Sequence, residues 1–131
     1  MMNLVQKIKA IFKIARLVSV NDSGNLQQGV FTYMGSDPKG QVFVPYGVLM
    51  NPPVGSQMAV FSQNGNESNA IGFASDPKNR TLKNLEPGEY GIANYVTGSF
   101  IICRANGDIE ISSEADVTIS KAVNVTVTAS G

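Results

Sequence analysis

The sequence predicts an all-β chain: an N-terminal helix, a small OB-like Greek-key barrel, then a C-terminal intertwined trimeric β-helix built of eight-residue repeats. Three observations predict it. Thirteen Gly and six Pro, in a chain of 131 residues rich in Val, Thr, Ser and Asn, read as many short strands and turns. About five strand-like runs, separated by turn signals, fill residues 16–79. Residues 100–131 divide without gaps into four blocks of eight.

The N-terminal segment, 1–15, reads as a basic amphipathic helix. Leu4, Val5, Ile8, Ile11, Phe12 and Ala15 recur at spacings of three and four, Asn3 is a candidate N-cap, and Gln6, Lys7, Lys9 and Lys13 fall mostly on the other face. Such a helix packs on its own domain or a partner, or lies on a membrane surface or a nucleic acid, and the pattern alone does not separate these.

The barrel reading covers 16–79. Strands are expected at 16–21, 26–34, 41–44, 55–63 and 69–74. Asp22-Ser23-Gly24-Asn25, Asp37-Pro38-Lys39-Gly40 and Asn64-Gly65-Asn66 supply the turns, and Asp76-Pro77 closes the last strand. An SH3-like barrel or a sandwich fits the same count. Residues 80–99 form a connector with Leu82 and Leu85 as anchors, a Pro87-Gly88 turn, and partly alternating Tyr90, Ile92 and Tyr95.

The octads are FIICRANG, DIEISSEA, DVTISKAV and NVTVTASG. Their second positions are Ile101, Ile109, Val117 and Val125, and their fourth are Cys103, Ile111, Ile119 and Val127. Glu110, Thr118 and Thr126 stand between them. Apolar second and fourth positions around a polar third make each block a short strand with one buried face. Asp, Asn, Gly and Ser at the block ends supply corners. Four octads give little more than one three-sided coil, whereas a solenoid needs about three stacked repeats to bury a core. Three chains wound together solve this, with the eight apolar positions stacked along a threefold axis. An ordinary antiparallel sheet of three or four strands is the alternative.

Composition narrows function. Hydrophobic residues are 43%, charged residues 15%, and ten bases balance ten acids, so no global field draws the chain to a nucleic acid. The absence of His removes imidazole general bases and His-ligated zinc, and the single Cys removes an intrachain disulfide. Neither an enzyme nor a cofactor is expected. Glu67, Asp76, Glu86 and Glu89 are the carboxylates on which acid–base glycan cleavage would rest, but they sit in turn-rich contexts. Cys103, at an inward octad position, reads as a small buried hydrophobe. No phosphate-cradling Gly-rich motif occurs. Residues 1–16 hold Lys7, Lys9, Lys13 and Arg16 and no acid, while from Thr81 onward three bases face six acids, so the two ends are expected to meet different neighbours. Lysines interrupt the N-terminal apolar stretch, so no signal peptide is expected, and no 18-residue apolar run reads as a membrane span. The chain is expected to be made in a cytoplasm, with the sequons at Asn66, Asn79 and Asn124 unused.

The order helix, barrel, connector, octads resembles the Mu-like baseplate central spike proteins of contractile-tailed phages. The resemblance runs through "PYGVLMNPPVGSQMAVFSQNGNESNAIGFASDPKNR", "LKNLEPGEYGIANYVTGSFI" and the octads. The family pattern has an apolar strand with a Gly-Asn turn, a second strand, an acidic turn and a basic residue, then Leu-Lys-x-Leu and Gly-Glu. Here these are Val60–Phe61, Gly65–Asn66, Ile71–Ala74, Asp76, Arg80, Leu82-Lys83 with Leu85, and Gly88-Glu89.

The resemblance implies a structural protein of the virion tail baseplate. It would be a homotrimeric central spike that docks on the hub protein and transmits the force of sheath contraction to pierce the host envelope. Hub-facing candidates are Lys7, Lys9, Lys13 and Arg16. Many relatives end in an apex whose His-x-His motif binds iron. This chain has no His, so no metal is expected, and a separate tip protein docking at Ala129, Ser130 and Gly131, or a blunt end, is implied instead. No nucleic acid and no small-molecule substrate are expected as partners. Two alternatives stand: an OB-fold single-stranded nucleic-acid binder, stacking bases on Phe31, Tyr33, Phe43, Tyr46, Phe61 and Phe73, and a glycan-binding trimeric fibre.

Overall fold

The structure is a computed structural model that describes residues 3–5, 8, 11–120 and 123–131. The chain divides into two compact units, Met1–Lys78 and Asn79–Gly131.

The first unit is a closed five-stranded barrel of β1 (Phe12–Asn21), β2 (Gln28–Thr32), β3 (Lys39–Val42), β4 (Gln57–Ser62) and β5 (Ala70–Ala74), paired in the order β1-β2-β3-β5-β4. All pairs are antiparallel except β3–β5, which run parallel. All five expected strands are present. Period-two alternation turns Ala15, Leu17, Phe31, Val42, Met58, Val60 and Ala70 inward to form the core. The largest of these, Phe31, fits because two barrel positions lack side chains. A Cβ on Gly72 would stand 2.5 Å from the tip of the Phe31 ring, and one on Gly29 would stand 2.8 Å from it. Gly40 lies so close to Ala70 that a Cβ there would overlap its carbonyl, and this closeness lets β3 and β5 pair.

Two expectations are corrected in this unit. Residues 12–15 are the opening of β1, with Phe12 paired to Phe61 and Ala15 to Met58, and not the end of a helix. Pairing with β4 satisfies this backbone, and the barrel buries Lys13 and Ala15 there. Of the expected helix, Leu4, Val5 and Ile8 have helical backbone, and Gln6, Lys7 and Lys9 lie outside the described residues. The β2–β3 turn is also displaced. It is made by Tyr33–Ser36, whose backbones bond each other at 2.9 Å in both directions, with Met34 and Gly35 at positive φ. Lys39 and Gly40, expected in the turn, belong to β3. The Asn64-Gly65 turn stands as expected between β4 and β5, with φ of 54° and 71°.

The second unit holds a three-stranded antiparallel sheet of β6 (Tyr90–Ala93), β7 (Phe100–Cys103) and β8 (Ile109–Ser112), in that order. Strands β7 and β8 lie in the first two octads, and β6 comes from the connector. Asn94 shapes the β6–β7 loop by accepting from the amides of Val96 and Thr97. The β7–β8 corner is closed by the Arg104 amide donating to the Asp108 carbonyl at 2.7 Å, with Gly107 at φ 97°. Of the one strand expected per octad, the first two blocks each hold one, and among the described residues no strand follows Ser112. Strand hydrogen bonds need a neighbouring strand, and among the described residues none is paired with 113–120 or 123–131.

Candidate functional site

The register of the second unit places six side chains on one face of its sheet. Ile101 pairs with Ile92 on one side and Ile111 on the other, and Cys103 pairs with Tyr90 and Ile109. Side chains of directly paired residues share a face. The expected phase therefore holds for Ile101, Cys103, Ile109 and Ile111, with Glu110 on the reverse. The burial does not follow. Ile109 is 70% exposed, Ile111 and Ile101 also face solvent, and so does Cys103. Beyond the sheet, Val117, Ile119, Val125 and Val127 are exposed as well. The residues expected to form a dry core are thus exposed on a single chain.

The reverse face does have a core, and it centres on a residue the octad pattern does not single out. Ile102 is completely buried and shares a small cavity of 80 Å³ with Leu82, Leu85 and Tyr95. The signal was the four-residue apolar run Phe100-Ile101-Ile102-Cys103, which interrupts alternation. Leu82 and Leu85, the expected connector anchors, line this cavity, with Leu85 still partly open to solvent.

The corner of this unit is fixed by a carboxylate network. Glu89 accepts from the amides of Glu86 at 2.9 Å and Ala105 at 3.1 Å, and lies 3.6 Å from the Arg104 guanidinium. The Glu86 amide and then that of Ala105 hold its carboxyl below the usual range; burial opposes them, and the Arg104 charge adds a smaller push downward. Arg104 also meets Glu110 at 2.7 Å, which raises its pKa. Glu89 therefore acts as a staple between two turns. Asp76 is likewise engaged, accepting from the Gln57 amide at 3.2 Å. Glu67 offers its carbonyl to the Lys39 amide. Glu67 and Asp76 belong to the first unit and Glu86 and Glu89 to the second, and the Asp76 and Glu89 carboxylates each accept from backbone amides.

In the barrel, Lys13 is only 3% exposed, and its Nζ donates to Ser62 Oγ at 2.9 Å beneath the Tyr33 ring. Burial pushes its pKa down, and the Glu67 carboxylate opposes that shift. Lys13, one of the hub-facing candidates, thus has its ammonium inside the barrel wall. Arg16 is exposed and donates to the Gly55 carbonyl at 3.0 Å. Lys7 and Lys9 lie outside the described residues. The tip-docking candidates Ala129, Ser130 and Gly131 are exposed, without strand partners.

The outer wall of the barrel carries a feature that sequence reasoning missed. Phe12, Phe61, Phe73 and Phe43 form a ladder across β1, β4, β5 and the residue after β3, with ring centroids 5.0, 6.1 and 5.9 Å apart. Each ring is exposed by roughly two-fifths to one-half. The stacking residues expected for a nucleic-acid binder are therefore split. Phe31 is in the core, Tyr33 is half-buried, Tyr46 is fully exposed, and Phe43, Phe61 and Phe73 belong to the ladder. No group of three or more His, Cys, Asp or Glu is placed to hold a metal among the described residues, and none of their helices is long and apolar enough to cross a membrane.

Comparison with protein-family models finds no match, and comparison with curated proteins finds no significant one.

Proposed function

We propose that this chain is the homotrimeric central spike of a contractile phage tail baseplate, with an OB-type barrel and a C-terminal shaft wound from three chains. The observation that carries the reading is the unburied apolar phase of the octads. Ile101, Cys103, Ile109 and Ile111 share an open sheet face, and Val117, Ile119, Val125 and Val127, the apolar octad positions beyond it, are exposed and in no assigned strand. Burying an Ile or Val side chain contributes about 1.5–3 kcal/mol, which the lone chain forgoes at each position. Three copies facing one axis would recover that burial and would provide neighbouring strands for 113–131. The barrel order β1-β2-β3-β5-β4, with its parallel β3–β5 pair, supports the OB assignment.

The mechanism is mechanical. In a wound shaft the segments of 113–131 would bond to strands of other chains, so axial load would be shared and no chain would peel away alone. The hub would hold one end and the host envelope would be met by the other, directly or through a tip protein at Ala129–Gly131. Multi-angle light scattering of the purified chain tests the reading. A particle of three 13.9 kDa chains is expected. A stable monomer at micromolar concentration overturns the wound shaft.

A further inference from the structure

The phenylalanine ladder is a protruding, uncharged ridge. The outward residues of β4 and β5 around it are Gln57, Ala59, Phe61, Ile71 and Phe73, none of them charged. The start of β1 is inverted relative to a barrel in water: charged Lys13 points in, while Phe12 and Ile14 point out. A wall built this way is suited to being covered. Beside it lies a concavity of 730 Å³, walled by Leu26, Val48, Leu49 and Met50, with Asp22 its one charged residue among those described. Phe43 belongs both to the ladder and to this cleft, so ridge and cleft adjoin along one side of the barrel. Leu49 is 96% exposed at the cleft rim.

We infer that the occupant of the cleft is the phenylalanine ladder of a second copy of this chain, so that neighbouring barrels contact one another ridge to cleft around a ring. The inference rests on the trimeric reading above. A head-to-tail contact between two different patches closes into a ring or runs on as a filament, depending on the rotation between copies. Patches that adjoin turn each copy sharply relative to the last, which closes a ring of few members. Size identifies the occupant as a copy of this chain. The four rings offer roughly 300–400 Å² of exposed surface, well below the roughly 800 Å² per partner of a stable independent complex. A patch of that size holds only when its partner is already tethered at high effective concentration. A shaft that joins three chains supplies that tether. The cleft has room for more than one phenyl ring, and the near absence of charge on both surfaces avoids burying an unpaired ion.

Site-directed cross-linking in the full chain tests this. On a Cys103→Ala background, Phe61→Cys and Leu49→Cys are introduced singly and together, and each protein is treated with a short bismaleimide. The double variant is expected to give a three-chain band on a denaturing gel. The two single variants, co-expressed, are expected to give a two-chain band, and each alone only one-chain material. Light scattering of the same samples separates the causes of failure. A trimer that does not cross-link overturns the ridge-to-cleft contact and leaves the ladder to another occupant, such as a hub protein, with the spike reading intact. A two-chain band from Phe61→Cys alone shows ridge meeting ridge and also overturns it. A monomeric particle overturns the trimeric reading and this contact together.

Discussion

In the barrel, Phe31, Leu17, Met58 and Val60 are sealed by strands of their own chain; in the second unit, Ile109, Ile111, Ile119 and Val127 meet solvent. Both regions were patterned by the same period of two, so the difference lies in closure. A five-stranded sheet that rolls until β4 meets β1 has an inside. A three-stranded sheet has two faces, and its chain covers only the Ile102 side. The first unit therefore encloses its apolar phase, and the second leaves Ile109 and Ile111 open to solvent.

The largest effect is expected where the barrel closes. A side chain at Gly40 would overlap the Ala70 carbonyl backbone, which cannot move aside without unpairing β3 from β5. Gly40→Val is expected to cost well over the ~1–3 kcal/mol typical of overpacking. The barrel's cooperative thermal transition should disappear. Gly72→Val, which collides with a Phe31 ring able to shift, should be milder but still lower the melting temperature.

Next comes the shaft. Ile119→Asp would place three unpaired carboxylates in the proposed core, each costing several kcal/mol. Thr118→Asp would put the same charge on the opposite phase. Sedimentation should show Ile119→Asp as a monomer with a folded barrel and Thr118→Asp as a trimer. Equal behaviour of the two would mean that 116–131 is not in the expected register. Removing 124–131 should leave the trimer in place and abolish only the attachment of a tip protein, read by co-purification.

What the sequence disclosed follows the same division. Strand alternation with turn residues located all five barrel strands, because a half-buried strand writes its faces directly into residue order. The octad phase was legible for the same reason. The first strand was obscured because its inward residue is Lys13 and its outward neighbours are Phe12 and Ile14, the reverse of the usual pattern. With the lysine read as a solvent residue, the apolar positions fell into a helical spacing. The β2–β3 turn was missed because Met34 at φ 45° carries no turn signature. The ladder could not be seen at all, since its four rings come from strands that are adjacent only after the barrel closes.

Lys13 also gives a prediction of intermediate size. Ser62→Ala should cost about 1–3 kcal/mol, because a buried ammonium loses its acceptor. Lys13→Met alone leaves the Ser62 hydroxyl unpaired, whereas Lys13→Met with Ser62→Ala should be at least neutral. Because folding lowers the Lys13 pKa, the unfolded chain binds more protons between the folded value and about 10.4. The barrel should thus gain stability as pH rises through that window, and the double substitution should flatten the gain. Urea unfolding at a series of alkaline pH values measures both.

The smallest effect belongs to the second unit and has the opposite pH signature. Glu89 is held below its ordinary pKa by the amides of Glu86 and Ala105 and by Arg104, so folding favours its charged form. Its stabilising contribution is fully present above the unfolded carboxylate value near 4.3 and fades as pH falls through the lower folded value. Glu89→Gln can still accept one amide hydrogen bond but loses the charge and one acceptor oxygen. The substitution should lower the melting temperature at pH 6 by a few degrees at most. The gap from the parent should narrow steadily toward pH 3, where the parent carboxyl is itself becoming neutral. A gap that stays constant across that range would mean that Glu89 matters for its shape in the corner and not for its charge. Because Lys13 acts only at high pH and Glu89 only at low pH, scans in the two directions report on the barrel and on the strand corner separately.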